Sequence, residues 1–245
     1  MPLHSRLCDM LGIRYPILLA GMGRAATPEL AAAVSNAGGL GVIGAASCGP
    51  NQLRDWIRRT RALTDKPFGV DTLLPASVRR GGTANAGVSP MDLVPQHRQF
   101  ARDFIQREGL PELDDETLAS IIGVHPADRD APRMLSKEFF EAQMEVVIEQ
   151  RVPLYAAGLG SPEPWMDRLK ANGTVVLSVV GATRHAHQVV KSGVDIIVAQ
   201  GHDGGGHNSR SARWRSSRRW WMRWPVACRC WEPAASPMGA VWRRR

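Results

Sequence analysis

The residues best suited to chemistry lie in one short stretch, "VAQGHDGGGH", at residues 198–207. His207 ends it, and a histidine side chain takes up and releases protons near neutral pH. Gly204, Gly205 and Gly206 let the backbone pass close to a ligand and present N–H groups to it. The stretch therefore favours a ligand-binding loop with a group that moves a proton, and a solvated, flexible loop is the alternative.

Short apolar runs of the kind that forms strands buried on both faces precede this loop. They span 15–21, 40–45, 67–75, 152–160, 174–181 and 194–201. Helical patterns follow most of them, at 27–39, 49–66, 136–150, 162–173 and 182–193. Strand–helix units in series require a parallel sheet, so the pattern predicts either an open doubly wound sheet or a (β/α)₈ barrel. The dinucleotide fingerprint G-x-G-x-x-G is absent after the first strand.

The strand ends carry Gly, Asp or Gln, and in a barrel the carboxyl ends of the strands form the active site. These residues are Gly21, Asp71, Gly158, Gly181 and Gln200. Residues 76–135 interrupt the alternation and are rich in Arg, Gly, Pro and Asp. We expect them to form an insertion, a lid or flap, with one helix around 95–108.

Several stretches resemble the nitronate monooxygenase family, formerly called 2-nitropropane dioxygenases. They are "YPILLAGMG", "AAVSNAGGLGVIGAA", "DKPFGVD" with "LLP", "VPLYAAGLG" and "GVDIIVAQGHDGGGH", in order over residues 6–208. The resemblance implies an FMN-dependent (β/α)₈ TIM barrel, here truncated to about six strand–helix units. It implies a monooxygenase that uses O₂ to oxidise alkyl nitronates to carbonyl compounds and nitrite. FMN-dependent enoyl-acyl-carrier-protein reductases share much of the pattern and are the alternative.

The resemblance also implies roles for individual residues. His207 is expected to be the catalytic base, and FMN is expected to contact Gly21, Met22, Asp71, Gln200, Gly205 and Gly206. Asp71 stands where the family often has Asn, and its contact is in doubt because an ionised carboxylate cannot donate a hydrogen bond. Met22 has core packing as an equal alternative. In the same loop, Asp203 is expected to help order the backbone and His202 to be exposed.

The last 35 residues, 211–245, have a different composition from the rest. They hold nine of the 31 Lys and Arg, one of the 23 Asp and Glu, and six of the eight Trp. The net charge of +8 therefore belongs to this tail, and residues 1–210 are neutral overall. We divide the chain into an FMN-dependent barrel domain, 1–210, and an aberrant basic tail, 211–245. The charge does not indicate a nucleic-acid partner.

The tail is consistent with a reading frame that has shifted near Arg210. Trp and Met have single codons, so parts of the shifted translation are fixed: residues 220–222 become Val-Asp, and residues 231–232 and 238–239 each become Gly. Apolar and glycine residues are what the rest of a barrel requires. We therefore expect residues 211–245 to be irregular or weakly helical and to add no strand to the barrel. We also expect the chain as written to hold FMN poorly, and a non-functional truncated remnant is a third interpretation.

The remaining features favour an intracellular, reducing location, so we expect a cytoplasmic protein. The chain has no run of 18 apolar residues, and its N-terminus lacks a signal-peptide pattern. Its four cysteines do not form a secreted-type framework. Cys228 and Cys230 have no ligand partners at zinc spacing, so we expect no metal. We expect a nitronate and O₂ as partners, without membrane or nucleic acid; the oligomeric state is not predicted.

Overall fold

A computed structural model of the 245-residue chain describes residues 4–74, 95–111, 125–128, 130–132, 136–202, 205–206, 232–234 and 241–243. Within these ranges, five parallel strands form one sheet whose spatial order is the order of the chain. The strands are β1 Gly41–Gly44, β2 Phe68–Leu73, β3 Leu154–Gly158, β4 Val175–Val180 and β5 Ile196–Ala199. Each connection between parallel neighbours must cross over, and helices make these crossings.

The helices of the described ranges match the predicted positions to within a few residues, except that the short helix α1 was not predicted. They are α1 Arg6–Leu11, α2 Pro28–Asn36, α3 Pro50–Leu63, α4 Pro95–Arg107, α5 Lys137–Glu149, α6 Met166–Ala171 and α7 Thr183–Lys191, with 3₁₀ turns at Pro126–Asp128 and Glu163–Trp165. The helix expected around 95–108 is present as α4. Much of the segment 76–135 lies outside the described residues, so its role as a lid stays a prediction.

The two faces of the sheet pack against different partners, because side chains alternate along a strand. On β3, Tyr155 and Ala157 join a buried apolar cluster with residues of α2, α3, α5 and α6. Leu154 and Ala156 join a second cluster that contains Leu11 of α1. The helix α7 packs on the same face as the other crossover helices, through contacts around Val180.

All five crossover helices therefore cover one face of the sheet, and the opposite face is interior. A doubly wound sheet carries helices on both faces, whereas a barrel carries them only outside. The fold is thus a truncated (β/α) TIM barrel, as expected from the sequence. The short helix α1 covers the interior cluster that includes Leu40 and Val42 of the first strands.

The first predicted strand, 15–21, is reduced to a single bridge. Leu18 pairs in parallel with Leu40, next to β1. Leu19 N–H donates to Leu40 O, and Leu40 N–H donates to Ile17 O, both at 2.9 Å. A tight turn at Ile17 and another at Met22 bound this extended segment. The sheet consequently has five strands in its ladder rather than six.

The described parts of the tail pair with each other and not with the barrel sheet. Two short strands, β6 Glu232–Ala234 and β7 Val241–Arg243, form an antiparallel ladder. For these residues the expectation of an irregular or weakly helical tail is wrong, since cross-strand hydrogen bonds form a small sheet. The rest of 207–245 lies outside the described residues. No helix in the part of the chain that the structure describes is long and apolar enough to cross a membrane.

Candidate active site

Asp71 occupies the junction of three strand ends at the carboxyl edge of the sheet. Its neighbours Val70 and Thr72 face the helices, so the alternation along β2 turns Asp71 to the interior. Gly21 packs directly on it, because a Cβ built on Gly21 would overlap Asp71 Oδ2. At the end of β3, a Cβ on Gly158 would lie 3.6 Å from Asp71 Oδ1. Gly21 therefore leaves space for this carboxyl group, and Gly158 lies in ordinary contact distance of it.

The carboxyl group of Asp71 is poorly solvated. Its Oδ1 is inaccessible to solvent and has no hydrogen-bond partner within the described residues. Burial raises the pKa of Asp71 to about 7, because removal from water disfavours the charged form. Near neutral pH the group is thus partly a carboxylic acid, which can donate as well as accept a hydrogen bond. The objection that Asp cannot replace the donor function of Asn is weakened accordingly.

Two buried polar contacts hold the strand ends around Asp71, and sequence reasoning missed both. On the helix-covered face, the hydroxyl groups of Thr72 and Tyr155 are 2.8 Å apart and join β2 to β3. Gln143 Nε2 donates to Ala45 O and to Cys48 O, each at 2.7 Å, which fixes the turn after β1. A polar Gln on the apolar face of α5 was a usable signal. The Thr72–Tyr155 pair gave no such signal.

The loop after the first bridge supplies Met22 to the same edge. The Met22 side chain is 44% exposed and belongs to neither apolar cluster. Its carbonyl accepts from Ala26 N at 2.8 Å, and a Cβ on Gly44 would overlap it. Met22 is therefore not packed in the core, which was the alternative role for this residue. Its contact with a cofactor stays a prediction.

Gln200 is a second polar residue at the carboxyl edge, at the end of β5. Gln200 N–H donates to Val180 O at 3.0 Å, and its Nε2 donates to Gly205 O at 3.2 Å. Gly205 and Gly206 are exposed, and a Cβ on either would meet no atom within 4 Å. Gly206 has a φ of 68°, a left-handed conformation that favours glycine. The sequence predicts that Gln200, Gly205 and Gly206 each contact FMN, and those contacts stay predictions.

The structure describes only some of the other candidate residues of this loop. His202 is exposed, as expected. Asp203, Gly204 and His207 lie outside the described residues, so the catalytic role of His207 stays a prediction. Within the described ranges, no group of three or more His, Cys, Asp or Glu residues is placed to hold a metal ion.

Asp71 and Gln200 lie at the same edge of the sheet and on its interior side. Three strand spacings separate β2 from β5, which is about 14 Å along the sheet. On this interior side, Val179 of β4 and Val198 of β5 are paired neighbours that lie beside Gln200. An apolar floor with a donor–acceptor group at either side suits a planar ring with polar edges.

Solved structures first define the class. FabK from Thermotoga maritima is 30% identical, with a TM-score of 0.63 over 91% of this chain and 52% of that chain. Nitroalkane oxidase from Streptomyces ansochromogenes is 27% identical, with a TM-score of 0.56 over 84% of this chain and 51% of that chain. The likeness to both structures, together with the parallel sheet and its one-sided helices, places this chain among proteins of the TIM-barrel fold.

Sequence relatives then define the family. The profile of the family "Nitronate monooxygenase" matches residues 4–217, and the chain belongs to that family. A "Probable nitronate monooxygenase" of Staphylococcus aureus is 31% identical over 208 residues, 83% of this chain and 50% of that protein. Rv1533 of Mycobacterium tuberculosis, which carries a monooxygenase name, is 32% identical over 219 residues, 86% of this chain and 54% of that protein. The chain thus spans about half the length of these curated relatives.

Proposed function

We propose that residues 1–210 form the flavin site of an enzyme that binds FMN at the carboxyl edge of its sheet and oxidises alkyl nitronates with O₂ to carbonyl compounds and nitrite, and that the chain as written holds FMN weakly. The observation that carries the proposal is the junction of Gly21, Asp71 and Gly158. Asp71 Oδ1 is buried without a partner among the described residues, and the carboxyl group is bordered by two glycines, of which Gly21 has no room for a Cβ. Such an unsatisfied polar group marks a place where the polar edge of a ring can bind. Membership of the family supports the choice of substrate and cofactor.

The residues present fit the ring of a flavin. Asp71 and Gln200 both offer a donor and an acceptor, and Gly205 offers its backbone close to Gln200. When bound, the flavin supplies the redox chemistry, and the protein supplies orientation and electrostatics. In barrels of this type the phosphate is held after strands seven and eight. We assign residues 1–210 to the flavin domain, and the phosphate contacts to the portion that the shifted frame replaces.

The protein residues act by holding the substrate and moving a proton. Gln200 orients the ring from the end of β5, and Gly21 and Met22 contact it from the loop after the first bridge. We assign His207 the handling of the substrate's proton, since a histidine side chain takes up and releases protons near neutral pH. We place the enzyme in the cytoplasm, with a nitronate and O₂ as its small-molecule partners.

The enoyl-acyl-carrier-protein reductase alternative differs in what reduces the flavin. The test is to mix FMN-loaded protein, without O₂, with propionate 3-nitronate or with NADPH and to record the flavin absorbance. We expect the nitronate to bleach the flavin and NADPH to leave it oxidised. Bleaching by NADPH alone would favour the reductase. A protein that takes up no flavin would favour the non-functional remnant.

A further inference from the structure

The surroundings of Asp71 offer little to stabilise an ionised carboxyl group. Its carboxyl group lies between Gly21 and Gly158, neither of which has a side chain that could donate to it. Its Oδ1 lacks both solvent and a hydrogen-bond partner among the described residues. A carboxylate in such a place is costly unless it is paired or protonated.

Among the described residues, burial is the cause of the raised pKa of Asp71, and no cation lowers it. On β3, the Tyr155 hydroxyl is bonded to Thr72, and burial raises its pKa above the usual range, so it is uncharged. Beyond β1, burial raises the pKa of Cys48 to about 12, with a smaller contribution from Asp128 and an opposing one from Arg24. Arg24 is the cation of the loop after the first bridge. The pKa of Asp71 itself is raised by burial.

We propose that Asp71 binds the flavin as a neutral carboxylic acid, donating one hydrogen bond to a ring acceptor, so that its deprotonation weakens flavin binding. The inference rests on the proposed function, because it takes the ligand at this edge to be a flavin. An acid in this position does what the amide of Asn does at neutral pH, and it adds a dependence on pH that an amide lacks.

The sign of the pH dependence follows from which form binds. The protonated form donates the hydrogen bond, so the Kd for FMN is constant well below the pKa of Asp71 and rises above it. With a pKa of about 7, and negligible binding by the ionised form, Kd rises on the order of 30-fold between pH 6 and pH 8.5. Asp71→Asn keeps the shape and a donor and removes the titration, so it is the matched control.

The experiment is equilibrium dialysis of FMN against the full chain and against Asp71→Asn, from pH 6 to pH 8.5, with folding checked by circular dichroism. The FMN phosphate titrates in both proteins, so the comparison between them isolates Asp71. We expect a rise of about 30-fold for the full chain and a nearly flat profile for Asp71→Asn. Equal pH profiles would overturn the acid role of Asp71 and leave the proposed function standing. Absence of FMN binding by both proteins at every pH would overturn both proposals.

Discussion

Asp71 and Gln200 stand at the carboxyl ends of two strands of one sheet, yet their side chains are held in opposite ways. The Asp71 carboxyl group is packed under Gly21, and its Oδ1 has no partner within the described ranges. The Gln200 amide is bonded to the carbonyl of Gly205 in a loop whose glycines are exposed. The Asp71 carboxyl group is thus desolvated before any ligand binds, whereas the Gln200 amide already has a hydrogen-bond partner in its own loop.

Because of this difference, substitutions at the two strand ends should affect folding stability and ligand binding differently. A ligand at Asp71 provides a hydrogen-bond partner for a carboxyl group that folding has left without one. It therefore removes the free-energy cost of that unsatisfied group. A ligand at Gln200 must compete with the bond to Gly205, so its net gain is smaller. Changes near β2 should therefore affect folding and binding together, whereas changes near β5 should affect binding or turnover alone.

The largest expected effect on turnover belongs to the β5 side. In a chain whose reading frame is restored after Arg210, His207→Asn should keep FMN and lower kcat/KM for a nitronate on the order of 10²-fold or more, because proton transfer loses its base. Steady-state nitrite release measures it, and His202→Asn in the same loop is the control that should change little. Unchanged turnover in His207→Asn would remove that residue from the mechanism.

The packing contrast is tested by adding one methyl group on each side. Gly21→Ala should lower the free energy of unfolding by about 1–3 kcal/mol, because the new Cβ overlaps the Asp71 carboxyl group. Gly205→Ala should change it by less than about 0.5 kcal/mol, since its Cβ meets open space. Urea unfolding of both variants provides the measurement. Equal losses of unfolding free energy in the two variants would contradict the difference in packing between Gly21 and Gly205.

The charge state of Asp71 predicts how stability depends on pH. Its pKa is about 7 in the folded chain, against about 3.9 when unfolded. Protonation is thus favoured by folding, so the native state loses stability as pH rises from about 4 through 7. Asp71→Asn removes this loss, and it should raise the free energy of unfolding by about 4 kcal/mol at pH 8.5 and little at pH 4. Urea unfolding at both pH values tests it, and a gain of equal size at both would point to packing instead.

The smallest expected effect concerns the amide at β5. Gln200→Ala removes one hydrogen bond to the flavin and also the bond to Gly205, and it should weaken FMN binding on the order of 10-fold. The free energy of unfolding should stay within about 0.5 kcal/mol, because the loop is exposed. Dialysis and urea unfolding measure the two quantities separately. A loss of stability as large as that of Gly21→Ala would show that Gln200 is structural.

The sequence was most informative where a pattern is local. The helix 28–36 and the strand 41–44 follow directly from apolar periodicity and from Pro28 at the first turn. The reduced first strand was predicted too long, because apolar character does not reveal the turns at Ile17 and Met22. The barrel, as opposed to a doubly wound sheet, followed from the family resemblance rather than from the periodicity.

The environment of Asp71 could not be predicted from its neighbours in the chain. It depends on Gly21 and Gly158, which are distant in sequence and meet only when three strand ends converge. Burial, and hence the raised pKa, is a property of that assembly. The frameshift near Arg210 and the role of His207 stay predictions, because residues 207–231 lie outside the described part of the chain.

Nitrite release by the FMN-loaded, frame-restored chain tests the central claim most directly. With propionate 3-nitronate and O₂, the account predicts nitrite formation together with O₂ consumption, and no dependence on NADPH. Oxygen uptake and nitrite are measured in the same sample, with free FMN as the control. Flavin reduction that requires NADPH, with no nitrite released from the nitronate, would contradict the account.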